Sequence, residues 1–147
     1  MNLPEQFYKE NSENIFIYHY VEEMIASFSS HLKKNLDEED INKAEFPFLI
    51  RIRYSKKTTQ KELVELFKVS EGYTAKLLRK FEDLRYITRH EDPTNRRKKI
   101  VELTDEGIRK TDELIELINS WEMKVTSGMS DDEVNLLKSL LFKVVSS

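Results

Sequence analysis

Apolar residues recur at three- and four-residue steps through most of this chain, the spacing of one face of an α-helix. In residues 14–36, NIFIYHYVEEMIASFSSHLKKNL, the repeating positions are Ile17, Val21, Met24, Ile25, Phe28 and Leu32, which predicts an amphipathic helix. Ahead of it, Phe7, Tyr8 and Ile15 are apolar residues near a chain end that would fray unless docked against a partner surface. A second helix is expected from Asn42 to about Arg53. Asn42 and Glu45 stand close to a capping box, and Ile41 and Phe46 hold the two positions of a hydrophobic staple. Pro47, just past the first turn of that expected helix, removes a backbone hydrogen bond and predicts a bend.

Further along, Thr59-x-x-Glu62 reads as a capping box ahead of Leu63, Leu66 and Phe67, so a short third helix is expected to close at Lys68-Val69. Ser70 is a good N-cap for a fourth helix over 70–84, with Thr74, Leu78 and Phe81 on its inner side. Its other face carries Glu71, Gly72, Tyr73, Lys76, Arg79 and Lys80. The period then changes. RYITRH and KKIVELT are rich in β-branched and aromatic residues, and Asp92-Pro93-Thr94-Asn95 between them is turn chemistry. A hairpin follows, with a wing over about 89–101 and a connection longer than a tight two-residue loop. Thr104 caps a long helix lined by Ile108, Leu114, Ile115, Leu117, Ile118, Trp121 and Val125, with Asp105 and Glu106 in its first turn. Ser127-Gly128 ends it. Ser130-x-x-Glu133, with Met129 and Val134, then opens a last helix through Leu137, Leu140, Leu141, Val144 and Val145. So apolar a terminal helix predicts burial against a second copy, first and last helices covering each other across a two-fold axis.

Charge adds a second pattern to this mainly α outline with its small β-wing. The chain of 147 residues has a formal charge of -3. Yet residues 51–99 hold fifteen Lys and Arg against seven Asp and Glu, while the rest holds nine basic and twenty acidic residues. A basic block between acidic arms can hold a polyanion on one surface while the net charge keeps the protein soluble. Four successive cations, Arg96, Arg97, Lys98 and Lys99, cluster at the wing. Two short helices followed by such a hairpin make a helix-turn-helix with a wing. In that arrangement the Ser70-capped helix enters a major groove end-on, placing Glu71, Gly72, Tyr73 and Lys76 near base edges. Gly72 permits close approach. Arg96 or Arg97 suits a narrow minor groove, and Lys98, Lys99, Arg89 and Thr59 suit backbone phosphates.

Rival readings stand beside several of these residues. Lys80 can reach phosphate or pair with Asp83, and Tyr73 can pack within its own domain. Glu71 either accepts from cytosine or discriminates against wrong sequences. The histidines His19, His31 and His90 are too scattered for a metal motif, and the chain has no cysteine. No cofactor is expected. The sequence holds no nucleophile motif, no phosphate-cradling glycine loop and no carboxylate pair in a recognisable context, so an enzyme is disfavoured. No apolar run approaches the roughly 18–20 residues of a membrane span, and MNLPEQFYKE is unlike a secretion signal, so a cytoplasmic protein away from the membrane is expected.

Two stretches carry a family likeness: TTQKELVELFKVSEGYTAKLLRKFEDLRYITR, residues 58–89, and DPTNRRKKIVELTDEG, residues 92–107. With the flanking helices they resemble the multiple antibiotic resistance regulator (MarR) family of winged helix-turn-helix transcription factors. Two departures stand out. Asn95 occupies the place where members usually have Asp before the arginine pair, and Arg85 the place of a glycine between recognition helix and wing. The resemblance implies a homodimer on a palindromic operator, repressing transcription and releasing DNA when a small phenolic or other aromatic effector binds. It also implies a division into a dimerisation region, 1–40 with 108–147, and a DNA-binding region, 41–107. The alternative use of the same fold is a winged-helix protein-interaction module without DNA binding.

Overall fold

The computed structural model describes residues 3–147. The chain forms two compact units, the first reaching Leu117 and the second comprising Ile118–Ser147. After a 3-10 turn, Lys9–Asn14, helix α1 runs Ile17–Asn35 and α2 runs Phe46–Ser55. Strand β1, Thr58–Thr59, leads into α3, Gln60–Phe67, and α4, Glu71–Asp83. Strands β2, Ile87–Asp92, and β3, Asn95–Leu103, form the wing, and α5, Asp105–Val125, and α6, Asp131–Val145, complete the chain.

Ile41, Leu49, Ile52, Leu63, Leu78, Phe81, Val101 and Leu114 are fully buried and form the centre of the first unit. They come from α2, α3, α4, β3 and α5 and from the loop before α2. Phe48 on α2 stacks on Phe67 of α3 with ring centroids 4.0 Å apart, and Phe28 on α1 meets Phe46 edge-on at 5.9 Å. Thr74 and Thr111 are polar but equally buried; Thr74 Oγ1 donates to the Ser70 carbonyl and Thr111 Oγ1 to that of Gly107, so neither leaves a polar atom unpaired. Only Leu32 is buried on α1, while Ile17, Val21, Met24 and Ile25 stay exposed.

The structure corrects three expectations. Asn42 and Glu45 do exchange hydrogen bonds, the Glu45 amide to Asn42 Oδ1 and the Asn42 amide to Glu45 Oε1, both at 2.9 Å. They close a turn rather than a helix, and α2 begins only at Phe46. Pro47 therefore lies in the first turn, where a missing N–H costs nothing, and it bends no helix. Next, Thr59 caps α3 by accepting from the Glu62 amide at 3.1 Å, but the Glu62 carboxylate takes the Thr58 hydroxyl instead of completing the box. Thr58 and Thr59 are strand residues paired with Val101 and Ile100, so the wing is a three-stranded antiparallel sheet in the order β1-β3-β2. Finally, Pro93-Thr94 is a two-residue connection closing Asp92 against Asn95. The regular ladder stops earlier, at Glu91 opposite Lys99, and the irregularity between leaves Arg96, Arg97 and Lys98 without partners on β2. The reach of the wing comes from that excursion, not from a long loop.

In the second unit the end of α5 and α6 flank the turn at 126–129. The capping box at Ser130 and Glu133 is complete, and its hydrogen bonds hold the exposed Glu133 carboxyl below its usual range, the Ser130 amide most of all. Lys138 Nζ pairs with Glu122 at 2.9 Å. No residue of α6 is buried in the single chain, and Phe142 and Val145 are 69% and 79% exposed.

Candidate nucleic-acid interface

Ser70 Oγ accepts from the Tyr73 amide at 3.0 Å and so fixes the start of α4. Thr74, Leu77, Leu78 and Phe81 turn inward from this helix. Glu71, Gly72, Tyr73 and Lys76 face outward, and a Cβ built on Gly72 meets nothing within 4 Å. Open space on that side leaves the helix start accessible to a large ligand. Tyr73 is 43% exposed, and its ring also meets Phe48 at 6.1 Å, so it has both an outward face and an inward one.

Arg96, Arg97, Lys98 and Lys99 are all exposed. Asn95 Oδ1 accepts from the Arg97 amide at 3.2 Å, and Asp92 Oδ1 takes both the amide and the hydroxyl of Thr94. These two residues organise the turn through backbone donors. The Thr94 amide and hydroxyl hold the Asp92 carboxyl below its usual range. A groove joins this tip to the helices, lined by Thr59, Gln60, Lys61, Glu71, Arg97 and Lys98 among others. Residues 38 positions apart in sequence, Thr59 and Arg97, thus share one concave surface that is cationic on its wing side. Thr59 itself is buried, with its hydroxyl committed to the α3 cap. Gln60, half-buried, and Lys61, exposed, escaped the sequence reading.

Like Thr59, two further predicted contact residues are engaged inside the protein. Lys80 Nζ meets both oxygens of Glu45 at 2.7 and 2.8 Å, rather than Asp83. Glu45 is nearly buried, and the ammonium neutralises a carboxylate that burial would otherwise make costly. Arg89 gives Nε and Nη2 to Glu82 Oε1 at 2.8 and 2.5 Å, and Nη1 to Gln60 Oε1 at 3.1 Å. Its side chain is 16% exposed.

The wing is anchored at its base by the joint between α4 and α5. Arg85 sits at φ 64°, in the left-handed region, which accounts for the glycine expected there by resemblance. Thr104 Oγ1 donates to the Arg85 carbonyl at 2.5 Å and accepts from the Gly107 amide at 3.0 Å. Nearby, Asp40 accepts from the Tyr86 hydroxyl and from Lys110 Nζ, the latter at 3.0 Å. Among the described residues no group of three or more His, Asp or Glu side chains could hold a metal ion, and no helix is long and apolar enough to cross a membrane.

A capped helix with an open outer face, set beside a cationic three-stranded wing, defines a winged helix-turn-helix protein. The MarR family profile matches residues 41–99, the segment that contains both parts of the groove. Residues 41–99 are a MarR-family domain. It is 28% identical over 132 residues to the HTH-type transcriptional regulator BilQ of Clostridium symbiosum (strain WAL-14163), covering 90% of this chain and 91% of that one. A crystal structure of MarR aligns with a TM-score of 0.77 at 25% identity, over 90% of each chain. A MarR mutant from E. coli complexed with operator DNA aligns with a TM-score of 0.67 at 25% identity, over 93% of this chain and 99% of that one.

Proposed function

We propose that the protein is a homodimeric, sequence-specific DNA-binding repressor that acts in the cytoplasm, with α4 in the major groove and the wing in the minor groove. The observation that carries this reading is the groove itself, in which Glu71 at the start of α4 and the cations Arg97, Lys98 and Lys99 share one surface. A helix N-terminus and a cluster of exposed cations both attract phosphate. The likeness to an operator-bound MarR mutant supports the same use. Within the interface, Glu71, Gly72, Tyr73 and Lys76 read bases, Arg96 and Arg97 enter the minor groove, and Ser70, Lys98 and Lys99 approach phosphates. Region 41–107 binds DNA, and 1–40 with 108–147 pair two copies. The exposed apolar faces of α1 and α6 support the pairing, because surfaces of that kind are seldom left to water.

A small phenolic or other aromatic effector modulates the affinity. The cleft that supports this is lined by Phe28, Phe46, Ile50, Arg51 and Tyr54. Aromatic walls with one cationic group suit such a molecule.

Selecting bound fragments from a randomised duplex pool tests the reading. Enrichment of a palindrome whose half-sites lie about one helical turn, roughly 10 base pairs, apart is the expected result. A pool that emerges unenriched at moderate salt contradicts DNA recognition and leaves the fold to a protein-interaction role.

A further inference from the structure

Between the end of α4 and the start of β2 the chain reverses through the left-handed Arg85, and one side chain closes that reversal from outside. Arg89 on β2 reaches back seven residues to Glu82 on α4 with two donors, and across to Gln60, the first residue of α3, with a third. Opposite Arg89 in the sheet lies Val101, which pairs on its other side with Thr58 of β1. The fork therefore links the wing to both helices of the helix-turn-helix at one point. Neither carboxylate nor guanidinium is freely solvated, with side-chain exposures of 34% and 16%. An arginine fork holding two acceptors fixes direction as well as distance, which a lysine does not.

We propose that Arg89 is a positioning residue: with Glu82 and Gln60 it sets the angle between α4 and the wing, and so governs discrimination among DNA sequences rather than attraction to phosphate. The proposal rests on the DNA-binding reading above. It separates from a direct phosphate contact because the two roles give opposite signs at Glu82. Removing a negative charge beside a polyanion strengthens a purely Coulombic complex. Loosening the angle weakens only the complex that depends on base contacts.

The probes are a duplex enriched by the selection and a random-sequence duplex of the same length, bound to the full-length protein at a temperature where far-ultraviolet circular dichroism of each variant matches the parent. Glu82→Gln is expected to weaken the enriched duplex by roughly tenfold, the scale of a single mismatched base pair, while random-sequence affinity stays within about twofold. Arg89→Lys, which keeps the charge and loses the fork, behaves alike, and its salt slope equals the parent's. Should either variant fold poorly, Gln60→Ala reads the same angle with no charge change. The inference is overturned if Glu82→Gln tightens both duplexes, if Arg89→Ala lowers the salt slope by about 0.9, the value for one phosphate left unneutralised, or if both probes weaken in proportion. Failure of the parent protein to bind either duplex removes the DNA-binding reading itself.

Discussion

The Tyr86 carbonyl occupies the place where a side chain on Gly107 would begin: a Cβ there lies 2.0 Å from the carbonyl oxygen and 3.0 Å from Leu103. That carbonyl also accepts the Thr104 amide at 3.0 Å, so it cannot easily yield. The glycine in the Leu-Thr-x-x-Gly start of α5 is thus what lets the helix press against the base of the wing.

Gly107→Ala accordingly runs against helix propensity. Within an unobstructed helix the change is favourable by about 1 kcal/mol. Here the overlap with backbone is expected to dominate and destabilise the protein by roughly 1–3 kcal/mol, the usual cost of overpacking. Chemical denaturation of the two proteins checks it, and a variant as stable as the parent refutes the packing account.

Arg85→Gly has the opposite sign. A left-handed backbone costs a non-glycine residue about 1–2 kcal/mol, of which glycine's greater unfolded-state freedom offsets roughly 0.5–1. A net gain of up to about 1.5 kcal/mol is expected, with no gain for Arg85→Ala, which keeps a Cβ. Midpoints of urea unfolding for the pair of variants decide between strain at this position and an unstrained turn.

Acid stability carries the mark of Asp40. Burial alone raises the pKa of this carboxyl, but donation from Tyr86 and donation and charge from Lys110 outweigh it and hold it below the ordinary aspartate value of 3.8. A depressed folded-state value stabilises the fold above the unfolded value of about 3.9 and is lost as pH falls through the folded one. Tyr86 shows the reverse: burial and the same carboxylate raise its hydroxyl well above 10.0, so its contribution holds below about pH 10 and fades at higher pH. Asp40→Asn is expected to flatten the loss of stability below about pH 4. Equal acid limbs for variant and parent, measured by thermal melting across pH, contradict this assignment.

Local chemistry made much of the fold legible. Ser70 and Ser130 cap the helices that their spacing predicts, because a cap is decided by residues three apart. The start of α2 is harder to place, because Asn42 and Glu45 make cap-like bonds equally well around a turn. Strand β1 is two residues long and exists only because β3 lies beside it, so no period could reveal it. In sequence Arg89 reads as a phosphate contact, and Lys80 as either a phosphate contact or a partner of Asp83. Their partners Gln60 and Glu45 lie 29 and 35 residues away, and only the folded chain brings them within hydrogen-bond reach. The exposure of the wing cations and of the outer face of α4 was legible in sequence, on α4 because helix geometry alone decides which way a side chain points.

Affinity for an enriched duplex, measured from low to physiological salt for the parent and for Arg97→Ala, bears most directly on the use of this surface. The expected result is a steep linear fall of log affinity with log salt, at roughly 0.9 per phosphate neutralised, and substantially weaker binding by a variant that remains folded. A flat salt dependence, or full affinity without Arg97, contradicts the view that this groove grips nucleic acid through its cations.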